Sequence, residues 1–307
     1  MFFADNLKSC PKGQWLISSA LIPPTMPYNA EISRANPGCF LFLVDQSASM
    51  ADPMPGDSGG GTTKKSEATA DVLNKFLQNL VIKCGKGEEI RDWFHVGVIG
   101  YGDSKVGSAF GGAISGRDLV PISEIGKSPS RIEERNRKIS DGAGGLVEQR
   151  IKFPVWFDAV ANGGTPMCQA LAKANEIVSA WVGKSPTGFP PIVVNVTDGE
   201  ANDGDPSQNS GALKSVSTTD GNVLLFNIHL SSKGGAAIDY PDAEVGLPDD
   251  FAKTLFNMSS LLTETMQTLA IQKGYKITAN SRGFVFNSDL VSLIDFLDIG
   301  TRPSNLR

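Results

Sequence analysis

Six consecutive apolar residues, Cys39 to Val44, run without interruption into Asp45. The run is too short for an ordinary helix and shows no polar alternation, so it predicts a β-strand buried on both faces. Strands of that kind belong to parallel sheets covered by helices on each side, because a parallel connection must cross over a sheet face and shield it. This one segment therefore points to an α/β architecture.

The rest of the chain agrees. A helix is predicted near Lys65–Ile82, where Val72, Leu73, Phe76, Leu77 and Leu80 recur at helical spacing and form a stripe for the sheet. Trp93–Tyr101 reads as a second strand. Gly102–Phe153 is the least legible stretch, with room for an antiparallel strand, a short helix and surface loops. Its charged patch Arg131–Lys138 reads as a solvated helix face, since Arg131, Arg135, Arg137 and Lys138 are interleaved with Glu133 and Glu134, or else as a partner-docking patch. A helix is expected after Gly163-Gly164-Thr165-Pro166, with Met167, Ala170, Leu171, Ala174, Ile177, Val178 and Trp181 on its buried side. Further strands are expected at Ile192–Thr197, Asn222–Leu230 and near Phe284–Phe286, with helices near Asp250–Gln272 and Ser288–Leu297. Alternation of this kind predicts a doubly wound, mostly parallel sheet with helices on both faces. The expected boundaries are an N-terminal extension over residues 1–36 and one domain over 37–300 with an insertion around 102–153. Met26 precedes Pro27 in that extension, so residues 1–25 read either as an added segment or as a poorly ordered arm.

Several function classes are disfavoured by composition. With 28 Lys and Arg against 33 Asp and Glu, and no basic tract interleaved with aromatics, nucleic acid is not an expected partner. No stretch of about 18 apolar residues predicts a membrane span, and the short run Trp15–Ile22 lacks the flanks of a signal peptide. Cys10, Cys39, Cys84 and Cys168 have neither metal-ligand spacing nor a disulfide pattern, which favours idle thiols in a reducing, cytoplasmic setting.

Chemistry concentrates in three short pieces: Asp45-Gln46-Ser47-Ala48-Ser49 after the first strand, Thr165 in the loop that opens a helix, and Asp198 after Ile192–Thr197. Each alone is what a turn or a helix cap uses. Together they place two carboxylates and three hydroxyls on loops leaving one sheet edge, where open α/β folds bind their ligands. An oxygen set without His or Cys suits a hard divalent cation such as Mg²⁺ or Mn²⁺ rather than zinc or copper.

Asp45-x-Ser47-x-Ser49, Thr165 and Asp198, in that order, resemble the metal-ion-dependent adhesion site of von Willebrand factor A domains, over roughly residues 37–300. The resemblance implies a doubly wound sheet with one antiparallel edge strand. It implies direct metal contacts from Ser47, Ser49 and Thr165, with Asp45 and Asp198 acting through water or as acceptors for the hydroxyls. The overall character is similar to bacterial cytoplasmic members of that family. Two departures are Ala48, where glycine is frequent, and the long segment before Thr165. A cation held mostly by neutral oxygens keeps its charge, so the expected partner is another protein presenting Asp or Glu, and no catalysis is expected.

Other residues are assigned less specific parts. Glu200, Asp203 and Asp205 read as a solvated acidic loop or as groups tuning the metal. His95 and His229 read as core residues, and Gly59–Gly61 lack the Gly-Lys-Ser or Gly-Lys-Thr of a nucleotide loop. Lys64-Lys65 reads as a charged helix start. The competing expectations are a metal-dependent hydrolase and a structural domain with an unused site.

Overall fold

A computed structural model describes residues 28–54, 63–103, 105–140, 146–231, 236–288 and 295–296, with the backbone alone at 137–140 and 146–147. Residues 1–25, Gly59–Gly61, Cys10 and most of the expected helix at Ser288–Leu297 lie outside these.

Apart from two minimal hairpins, Gly85–Lys86 with Glu89–Ile90 and Ser217–Thr218 with Gly221–Asn222, the strands are β1 (Gly38–Asp45), β2 (Phe94–Gly102), β3 (Lys105–Ser108), β4 (Val120–Pro121), β5 (Arg131–Ser140), β6 (Leu146–Val155), β7 (Ile192–Thr197), β8 (Leu224–His229), β9 (Ile238–Asp239) and β10 (Phe284–Phe286). The helices are α1 (Lys65–Cys84), α2 (Ile122–Lys127), α3 (Met167–Lys184), α4 (Ser207–Ser215), α5 (Asp250–Met258) and α6 (Glu264–Gln272). Their sheet runs β9-β10-β8-β7-β1-β2-β3, with β4 also paired to β2. The pairs β10-β8, β8-β7, β7-β1 and β1-β2 are parallel. The expected antiparallel edge strand is β3, and the short β9 adds an antiparallel strand at the other edge.

Alternation along β1 shows why both faces need cover. Phe40, Phe42 and Val44 join a core with α1 residues Leu73, Leu77 and Leu80, while Leu41 and Leu43 join a second core with Leu171, Ala174 and Val178 of α3. Successive side chains of a strand point to opposite faces, so a strand apolar throughout is stable only between two helical layers. From β1 the chain crosses to β2 on one side and later returns to β7 on the other, so the loops after β1 and β7 diverge at a topological switch point.

Two expectations are corrected, and one element is added. The charged patch Arg131–Lys138 is strand β5, paired antiparallel with β6 over the full length of both. Strand β5 is charged on both of its faces, and this removes the apolar alternation that is the usual sign of a strand. The ribbon leans on α1: Arg135 pairs with Asp71 at 2.9 Å, and the buried Asn74 accepts from the Trp156 N–H at 2.8 Å and donates to the Phe157 carbonyl at 3.0 Å. The helix expected over Asp250–Gln272 is broken into α5 and α6. Ser260 leaves the helix to bond both backbone groups of Leu225 on β8, and Thr263 then caps α6 through the Met266 N–H. Helix α4, after β7, was not anticipated.

Residues 28–30 are tied to the domain by Asp220, whose backbone and carboxylate oxygens accept the N–H groups of Tyr28, Asn29 and Ala30. Cys39, Cys84 and Cys168 are free thiols. His229 packs edge-on against Phe251 and Phe286.

His95 packs on Trp181, with ring centroids 4.8 Å apart. Burial pushes its pKa down, against a smaller upward pull from Asp92 and Glu124. A folded-state pKa below the unfolded value of about 6.5 means that stability is fully present above that pH and is lost as the pH falls toward the folded value. His95→Gln is therefore expected to show a smaller drop in urea midpoint between pH 7 and pH 5 than the parent; an identical drop would remove His95 from the acid response.

Candidate metal centre

Asp45 is the last residue of β1, and its register partner on β2 is Tyr101. Its side chain turns back into the protein: one carboxylate oxygen accepts the Ser47 N–H at 2.8 Å and the other accepts the Thr197 hydroxyl at 2.7 Å. Burial pushes its pKa up to about 6, while these hydrogen bonds act in the opposite direction.

The chain then enters a single turn of 3₁₀ helix, Ala48–Ala51, anchored by the fully buried Met50. This turn brings two hydroxyls together, with Ser47 Oγ 3.1 Å from Ser49 Oγ. Ser49 donates to Asp198 Oδ1 at 2.7 Å, so the loops after β1 and β7 are joined by a side-chain bond across the switch point.

Thr165 comes from the third loop, which is fixed by its backbone. The Gly163 carbonyl accepts from Ala48 N–H at 3.0 Å, and the Asn162 N–H donates to the Gln46 carbonyl at 2.6 Å. The Thr165 carbonyl accepts from Asn202 N–H at 3.1 Å, on the chain after Asp198. A Cβ placed on Gly199 would stand 3.6 Å from Thr165 Oγ1 and 3.7 Å from Ser49 Oγ. Both hydroxyls therefore border the small volume that a side chain at 199 would fill.

All five predicted residues thus gather at one point of the sheet edge. Two more belong with them. Thr197 holds the second oxygen of Asp45, and its place directly before Asp198 was the available signal. Lys65 is the larger omission: its ammonium lies 2.8 Å from Asp198 Oδ2, and both side chains are 0% exposed. The ammonium is also 3.9 Å from Asp52 Oδ2, whose side chain is 52% exposed. Lys64-Lys65 is the charged helix start expected, with Lys65 the first residue of α1, and the first turn also buries Lys65 against the site, a role the sequence reading did not assign.

The acidic loop separates into distinct parts. Asp203 caps α3, accepting the N–H groups of Cys168 and Gln169 at 3.0 Å each, and Asp205 accepts the Ser207 N–H at 2.9 Å. Glu200 is exposed. Beneath the site a buried chain of hydrogen bonds runs from Tyr101 OH to Asn195, then to Asn227 and Ser259.

Among the described residues no group of three or more His, Cys, Asp or Glu side chains is placed to hold a metal. A cation here would depend on hydroxyl oxygens. The donor set fits a hard divalent ion on two grounds: apart from the Lys65 ammonium the converging atoms are oxygens, and glycine at 199 leaves the space beside Ser49 and Thr165 without a side chain.

No protein-family model matches the sequence, and no curated protein matches it either. Solved structures resemble it in shape. Proximal thread matrix protein 1 from the mussel byssus is 17% identical, with a TM-score of 0.43, covering 88% of this chain and 49% of that one. The ArnB paralog VWA2 from Sulfolobus acidocaldarius is 12% identical, with a TM-score of 0.33 and coverage of 63% and 35%. The vWF domain of the type V pili tip protein Mfa5 from Porphyromonas gingivalis is 13% identical, with a TM-score of 0.30 and coverage of 54% and 39%. The chain spans about half or less of the length of each of these three. Its own strand order and crossovers define the mostly parallel α/β fold, and no helix among the described residues is long and apolar enough to cross a membrane.

Proposed function

We propose that this chain is a von Willebrand factor A-type interaction module that grips an acidic side chain of a partner protein through a divalent cation, Mg²⁺ or Mn²⁺. The observation that supports this best is the convergence of Ser47, Ser49, Thr165, Asp45 and Asp198 from three loops at the switch point. A bound divalent ion would supply concentrated positive charge with a coordination position left for a partner's carboxylate.

The residues have separable tasks in this reading. Ser47, Ser49 and Thr165 would offer neutral hydroxyl oxygens, so they leave the ion's charge largely unspent. Asp198 accepts from Ser49 and so fixes where that hydroxyl's proton points. Asp45, held by Ser47 N–H and Thr197, keeps the β1 loop in the turn that presents both serines. The backbone ties from Gly163 to Ala48 and from Asn162 to Gln46 hold the hydroxyl-bearing loops in place before any ligand arrives, which lowers the ordering cost of binding.

Calorimetric titration of Mg²⁺ and Mn²⁺ into metal-free protein tests this. Binding is expected, and Asp45→Ala and Thr165→Ala are each expected to weaken it by about tenfold or more, as loss of a ligand or of its orienting partner does. Capture of an acidic partner should then disappear on chelation. Binding equal in both variants would place the ion elsewhere and overturn the assignment.

A second reading, a structural domain whose site is satisfied internally, is favoured by one observation: the Lys65 ammonium already lies against Asp198. It predicts no divalent binding even when that ammonium is removed.

A further inference from the structure

We propose that Lys65 is an internal cation that competes with the divalent ion for Asp198, so that metal enters by displacing the ammonium toward Asp52. The proposal rests on the reading of this site as a divalent-cation centre, and it assigns that centre a built-in gate.

The geometry supports it at each end of the movement. Asp198 divides its oxygens, with Oδ1 accepting from Ser49 and Oδ2 from Lys65 at 2.8 Å. Carboxylate and ammonium are both sealed from solvent. A second positive charge arriving beside Ser49 and Thr165 meets the ammonium across a single carboxylate, in surroundings where like charges repel far more strongly than in water.

An alternative acceptor is already in reach. Asp52 Oδ2 lies 3.9 Å from the same nitrogen and is half exposed, so an ammonium moved toward it regains both a counter-charge and water. The backbone holds the two residues side by side: the Lys65 N–H donates to the Asp52 carbonyl at 2.9 Å, and Lys64 bridges Pro53. The lysine can exchange one carboxylate for the other by side-chain rotation alone, with α1 in place.

The gate has a functional meaning for the grip. With Lys65 on Asp198, one oxygen of that carboxylate is held by an internal cation in place of the metal. Metal and partner carboxylate together supply the free energy that moves the lysine, so binding of the two is cooperative through one side chain.

The test is titration of Mg²⁺ and Mn²⁺ into the parent chain, Lys65→Met, Lys65→Gln and Asp52→Asn, with circular dichroism to establish folding and thermal unfolding with and without metal. The two lysine variants are expected to bind metal about tenfold more tightly than the parent, within the range usual for coupled sites. Their melting temperatures should respond more to metal. Lys65→Gln keeps a donor for Asp198 and serves if Lys65→Met does not fold. Asp52→Asn lies outside the sealed pair and is expected to weaken metal binding severalfold, because the displaced ammonium loses its second carboxylate. Binding by the lysine variants alone supports competition in its extreme form. Folded lysine variants that bind no more tightly than a metal-binding parent overturn the gate while leaving the metal reading intact, as does an Asp52→Asn affinity equal to the parent's. Absence of binding in every chain overturns both.

Discussion

Asp198→Ala is expected to lower the unfolding free energy at neutral pH by about 3–5 kcal/mol, the range observed when one member of a buried ion pair is removed. For a domain of this size that is a fall in melting temperature on the order of 10 °C. The cost arises because the Lys65 ammonium is enclosed with Asp198, so removing the carboxylate takes away its nearest counter-charge and leaves 3.9 Å to Asp52. Ser49 loses its acceptor as well. The control is Lys65→Met with Asp198→Leu, which exchanges the pair for apolar groups of similar bulk and should recover most of the loss. Chemical denaturation of the two single variants and the double variant reads the coupling directly. A single-variant cost below about 1 kcal/mol, the value of an exposed pair, would mean that the two charges are not sealed together.

Gly163→Ala is expected to cost about 2–4 kcal/mol, the sum of a left-handed backbone for alanine and an overpacked contact. Gly163 has φ of +77°, and a Cβ there would fall 2.3 Å from Asp103 Cα. Asp103 has little freedom to yield, since it is itself at φ of +53° in the tight turn between β2 and β3. The same carbonyl that accepts from Ala48 belongs to Gly163, so the strain reaches the serine turn and Thr165 together. Weaker metal binding should accompany the loss of stability. Gly107→Ala, where nothing lies within 4 Å of the added carbon, supplies the comparison and should be close to neutral. Equal effects at the two positions would refute the close packing of the 163 loop on Asp103.

Legibility in the sequence followed how each segment is buried. Strands β1 and β7 are buried on both faces and mostly apolar, so their runs could be read without knowing their neighbours, and the oxygen-bearing residues at their ends followed directly. Ser259 to Thr263 could not be read that way. Leu261 and Leu262 preserve helical spacing, and α5 ends there because the backbone is bonded instead to residues distant in sequence, Ser260 to Leu225 and Gly283 and Leu262 to Ser281. Lys65 lay closer to view. Counting back seven from Val72 along the α1 stripe reaches Lys65, so the periodicity placed it on the buried face while its residue type suggested the opposite. A charged residue at a core-facing helical position is itself a sign that a counter-charge waits across the interface, and Asp198 is that counter-charge.

The ribbon of β5 and β6 also bears on how copies of this chain keep apart. Among the described residues its two strands pair only with each other, so each presents an outer row of backbone donors and acceptors to solvent. Rows of that kind are templates on which another molecule's strand can align and start an aggregate. The exposed residues of the ribbon carry both signs of charge, Arg131 and Glu134 on one strand and Glu148, Arg150 and Lys152 on the other. Within the ribbon Glu134 stands opposite Lys152, a matched pair. A second ribbon sliding along the edge would meet that match in few registers and like charges in the rest, so the pattern that disguises this segment as a helix face also keeps its edges from adhering to their own kind.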